Sequence, residues 1–231
     1  MRRFFLYVIC IFCILPTLAA QALAAQESEF RLQGRWGISW LGQATATNNA
    51  SIPNPDGISS SQIIHHFGIG AHISFSPLLG IAPSIDVYFD EYIYLSEFMR
   101  AFPTQSQTGS GRGPLATVLS LGINLPWYMS VPVGEFVHFD LAVGLGLVFR
   151  IPVAPLDGSG DISPIGDYVL GNGRWLNIYI QPGFRFRLAE WFGFSVSPTA
   201  IIPIWHIFDN EELMFYDNLQ LGGTIGFDFY L

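Results

Sequence analysis

Lysine is missing from this chain: all ten basic residues are arginine. Cysteine occurs twice, at Cys10 and Cys13, and charged residues make up 12% of the 231 positions, about half the share usual in soluble domains. Past the first 25 residues there is no apolar run near the ~20 residues that a membrane-spanning helix needs. Each shortage excludes something. Both cysteines lie in a removable leader, so the mature chain has no disulfide, thiol chemistry or cysteine metal site. A surface with so little charge is poorly suited to water. Without spanning helices, the remaining structure that satisfies every backbone group in lipid is a closed β-barrel.

The leader is residues 1–24. Arg2 and Arg3 give the basic start, Phe4 to Leu15 the apolar stretch, and Ala22-Leu23-Ala24 a small-x-small cleavage site, with Ala20-Gln21-Ala22 as the alternative. The expected mature barrel is then 25–231. It keeps 8 arginines against 18 acids, a net charge of −10, which excludes nucleic acid as a partner.

What the chain has instead is period-two alternation, with glycine at 24 positions and aromatics at 15%. The last stretch, Asn218–Leu231, places Leu219, Leu221, Gly223, Ile225, Phe227, Phe229 and Leu231 on one face and small or polar residues on the other. The same pattern predicts seven earlier strands: Phe30–Leu41, Ile63–Ser76, Ile81–Asp90, Leu115–Leu125, Val137–Phe149, Arg174–Leu188 and Phe192–Ile204. The links alternate long and short. The expectation is therefore an all-β fold, an eight-stranded antiparallel up-and-down transmembrane barrel with four long extracellular loops, short periplasmic turns and both termini in the periplasm. In a soluble barrel the bulky apolar row would point inward. Here that row is uniformly bulky and the opposite one mixes glycine, alanine and serine with charge, so bulk is expected outside.

The inward row carries the candidate site. Arg31, Arg35, His72, Asp86, His138, Asp140, Arg185, Arg187 and Asp228 are expected to form a charge network in the periplasmic half of the lumen, since unpaired charge there is costly. The anticipated pairs are Arg31 with Asp228, Arg185 and Arg187 with Asp140, and His72 with Asp86. Above them Gly68, Gly144, Gly146 and Ser197 leave room for a vestibule. Two loop segments are unusually apolar: Tyr92, Tyr94, Phe98 and Phe102, and Leu213 with Phe215 after the helix start Asp209–Glu212. They either fold over the mouth and pack together or form an apolar vestibule or host-contact surface. No cofactor or metal set is expected, and no enzyme activity. The trio His72, Ser74 and Asp86 could serve nucleophilic catalysis only if base and acid reached the hydroxyl.

The tail Thr224-x-Gly226-x-x-Phe229-x-Leu231, with Phe227 inside it, resembles the C-terminal assembly signal of bacterial outer-membrane barrels. Together with Asp140-Leu-Ala-Val-Gly-Leu-Gly in the fifth strand and Gly222-x-x-x-Gly226-Phe-x-Phe229, it gives a mature chain that resembles the OmpW/OprG family of small outer-membrane barrels. The resemblance implies placement in the bacterial outer membrane by the barrel-assembly machinery, contact with its lipid, and a largely apolar lumen that admits small hydrophobic solutes. The inward arginines and aspartates depart from that lumen. The leading functional expectation is a narrow porin-like channel for small solutes, hydrophobic ones included. The alternative is a non-conducting barrel for adhesion to host surface ligands or for envelope structure, like the OmpA membrane domain and OmpX; a lipid-modifying enzyme is a distant third.

Overall fold

The computed structural model describes residues 30–42, 62–104, 113–156, 161–204 and 218–231. The expected leader, the expected helix start at 209–212, Leu213 and Phe215 lie outside them. The elements are β1 (Phe30–Leu41), β2 (Gln62–Ser74), β3 (Leu79–Ile81), β4 (Ser84–Leu95), β5 (Arg100–Pro103), β6 (Leu115–Pro132), β7 (Val137–Pro155), α1 (Ser163–Leu170), β8 (Leu176–Arg187), β9 (Phe192–Pro203) and β10 (Gln220–Tyr230).

Every pairing is antiparallel. β1 pairs with β2 on one side and β10 on the other, which closes a ring of eight long strands; β3 continues the wall between β2 and β6, and β5 flanks the far end of β4. Closure leaves the ring without an open edge, so its backbone groups are bonded within the wall. The alternation resolves as bulk outside. In β1 the inward Arg31, Gln33 and Arg35 are 3, 7 and 6% exposed, against 44, 37 and 43% for Leu32, Trp36 and Ile38.

Several strands outrun their sequence-based ends. β6 and β7 reach 18 and 19 residues. Pro126 marks a stop in the sequence, yet it sits inside β6 opposite Gly144, where a Cβ would collide with the Pro126 backbone. A glycine partner thus accommodates a proline in mid-wall. Pro152 and Pro155 lie beyond the reach of β8, which begins opposite Leu147, so their missing N–H groups break no bond on that side. The second long loop likewise starts as a regular hairpin, Tyr92 opposite Pro103 through Leu95 opposite Arg100.

The lumen end away from the termini is filled. Leu41, Ile64, Tyr88, Tyr92, Val118 and Val148 form a cluster closed over by Ile165, Tyr168 and Val169 of α1. This corrects the expected vestibule: Asp86, Pro126 and Asn124 close up against Gly68, Gly144 and Gly146, and tyrosines and the helix occupy the end above them. Ile93, Leu95, Phe102 and Leu115 make a second buried cluster, with Phe98 packed against it. α1 itself begins with Pro164 in its first turn, and Asp161 just before it accepts both the Ser163 amide (3.0 Å) and hydroxyl (2.7 Å). These two bonds hold the Asp161 carboxyl below the usual aspartate range.

Candidate functional site

Three tiers of ion pairs cross the lumen. In the tier nearest the termini, Arg31 of β1 reaches Asp228 of β10 (Nε to Oδ1, 3.3 Å) and, across the ring, Asp140 of β7 (Nη2 to Oδ2, 3.5 Å). Its Nη2 donates to His72 Nδ1 at 2.6 Å. Arginine has no acceptor, so that nitrogen accepts and the ring proton belongs on Nε2. Arg185 donates to Asp140 (Nε to Oδ2, 2.9 Å), Ser130 (2.9 Å) and Tyr230 (3.1 Å). Gln33 donates to Asp228 and Ser195, both at 3.0 Å.

The middle tier centres on Arg35 and Asp86, 3.4 Å apart. Arg35 also donates to the Tyr179 hydroxyl at 2.7 Å, and Asn124 donates to Asp86 (2.9 Å) and Ser84 (3.2 Å). His66 Nδ1 stands 3.8 Å from Asp86. In the third tier Arg150 lies 3.9 Å from Asp90, which accepts from Ser120 at 2.8 Å, and Gln220 of β10 donates to Tyr88 of β4 at 2.9 Å. Four arginines thus face four aspartates within a wall of low polarity, the arrangement that burial of charge demands. The cavity bounded by Arg35, His66, Asp86, Tyr88, Asn124 and Tyr179 is about 20 Å³, room for roughly one water.

The sequence-based list places unevenly. Arg31, Arg35, Asp140, Arg185 and Asp228 share the network, and His138 stands opposite Arg185 on the same inward row as Asp140. His72 faces Arg31, not Asp86. The register sets Gly68 opposite Asp86, while the neighbour of His72, Ile73, meets Ile81. Arg187 stands at the exposed rim on the terminal side, donating to the Glu190 carbonyl at 3.0 Å with its guanidinium 4.5 Å over the Tyr230 ring. The trio is likewise dispersed, because the Ser74 hydroxyl bonds Tyr128, His72 bonds Arg31 and Asp86 bonds Asn124. Among the described residues no three His, Cys, Asp or Glu side chains converge as metal ligands. Asp90 and Arg150 were missed; the inward row of the fifth strand, read two residues further, leads from Val148 to Arg150. Tyr92 and Phe102 are buried in the two apolar clusters, whereas Phe98 and Tyr94 pack at their margins.

On β10, Thr224 points inward and meets Thr199 at 3.1 Å, and Gly226 leaves space beside Gln33 and Ser195. Phe227, Phe229 and Leu231 are exposed on the outside at 48, 41 and 80%.

No protein-family model matches the chain, and no curated protein matches it in sequence. Solved structures do match. The outer membrane protein OprG from Pseudomonas aeruginosa is 10% identical with a TM-score of 0.51, over 89% of this chain and 97% of that one. Neisserial surface protein A is 9% identical with a TM-score of 0.49, over 88% and 99%. Ail of Yersinia pestis is 9% identical with a TM-score of 0.44, over 89% and 99%. The likeness to OprG is one of fold: the chain is an OprG-like eight-stranded barrel.

Proposed function

We propose that this protein is an outer-membrane barrel whose lumen is closed, serving the cell surface or the envelope as a non-conducting scaffold. The observation that carries the reading is the set of contacts spanning the lumen at three heights: the ion pair of Arg31 with Asp140, and the hydrogen bonds of Arg35 to Tyr179 and Gln220 to Tyr88. A narrow solute path would have to part all three, and the cavity among the middle ones holds about one water.

In this reading residues 1–24 direct export and are removed. Thr224, Gly226, Phe227, Phe229 and Leu231 present the closing strand to the assembly machinery, and both termini stay in the periplasm. The bulky outward rows face lipid. The hairpin of β4 and β5 and the helix α1 are then the parts turned to the outside, where an adhesive or structural contact would be made.

Purified protein in planar bilayers tests the proposal, with a large porin as positive control. The expected record is silent. Steady single-channel steps that change in size with Arg185→Asp or Asp140→Arg would overturn it and restore the narrow channel.

A further inference from the structure

Among the described residues the outward wall has a break in its bulk. Gly34 of β1, Ala71 of β2 and Pro83, just before β4, fall side by side. They floor an open groove of about 520 Å³ rimmed by Ile69, Ile85 and Leu125. A Cβ built on Gly34 would meet nothing within 4 Å, and the three rim residues are 69, 44 and 53% exposed. No charged side chain lines the groove. Gln33 and Asn124 contribute to its floor, but their amides are turned to the lumen, on Asp228 and Asp86.

Such a groove offers nothing to a polar ligand. It is continuous with the outward apolar rows, so what lies against it is what lies against them, and on the reading above that is hydrocarbon. An unfilled hollow there would cost its lining atoms their dispersion contacts. A flexible chain can enter, whereas a headgroup would lose its hydration. Height selects the source. Gly34 is the fifth of the 12 residues of β1, counted from the terminal end, so the groove belongs to the half of the membrane on that side.

We infer that this groove is a binding site for one acyl chain of a phospholipid in the leaflet nearer the termini. The inference rests on the membrane reading, and its test separates the two. The mature protein is refolded into vesicles of phosphatidylethanolamine and phosphatidylglycerol, extracted in mild detergent and weighed by native mass spectrometry. One phospholipid should remain on the wild type. Gly34→Leu fills the groove from β1 and Ala71→Leu from β2. Each should cut the retained fraction about tenfold, with heat-modifiable migration showing an intact barrel. Equal retention in wild type and variants, or none on the wild type, overturns the site. A dimer that Gly34→Leu abolishes would assign the groove to a second copy and also overturn it. Failure to enter vesicles at all would sink the membrane reading, whereas entry without retained lipid sinks only the groove.

Discussion

Asp228 has no exposed surface, is ion-paired with Arg31 and accepts from Gln33. Asp228→Ala should therefore cost about 1–3 kcal/mol, because it takes from the buried Arg31 guanidinium one of its two carboxylates and from Gln33 an acceptor; urea unfolding of the refolded barrel reads the loss. Asp228→Asn, which keeps an acceptor, should cost less. Gly68→Ala is expected to destabilise by about 1–3 kcal/mol in the same titration: the added Cβ would collide with the Asp86 carboxylate and the Ile85 carbonyl. The inward placing of Arg31, Asp140, Arg185 and Asp228 could be read from parity alone, since parity decides which face a side chain takes. The partner of Asp86 could not. It depends on the offset between β2 and β4, set by the turn at 75–78 and the stagger of a closed barrel. A strand's own alternation carries no record of that offset.

The long strands were legible because period two persists over ten or more residues, but their ends were not. Pro126 reads as a stop until Gly144 is seen opposite it. α1 was hidden for the opposite reason. Eight residues give too few turns for a helical period to show among the glycines and prolines of its loop. At its start, Asp161 should titrate by NMR below an ordinary aspartate, and Ser163→Ala should return the midpoint upward. The sign follows from linkage: with the folded pKa depressed, the contribution is full above the unfolded value and fades as pH falls through the folded one. α1 should thus fray at its first turn in strong acid. For the closing strand, Phe229 pairs with Leu32 on one side and Phe192 on the other. Deleting residues 229–231 should leave the barrel unassembled; a truncated protein with normal heat-modifiable migration would contradict this.

Along the ring the usual order is reversed, with apolar bulk outward and a charged spine within, capped by the two buried apolar clusters at the end away from the termini. Stability thus comes from the closed backbone ladder, the ion-pair tiers and the apolar clusters at one end, and on the membrane reading from the lipid as well; in plain buffer without lipid or detergent the folded barrel should aggregate, as light scattering would show. The wall is also uneven. With strands rising about 2.5 Å per residue along the barrel, the 19 residues of β7 stand roughly 17 Å taller than the 12 of β1. The outward row of β7 runs on through Ile151 and Val153, exposed at 44 and 49%. On the membrane reading, a hydrocarbon film only ~25 Å deep cannot wet both sides equally. The molecule should lean, sinking its tall back and lifting its short front, because tilting is the cheap answer to mismatch. It would then sit in the membrane with a heading. Polarised infrared spectroscopy of oriented bilayers would read this as a barrel axis inclined to the membrane normal; an upright axis would mean that Ile151 and Val153 face water or a neighbour.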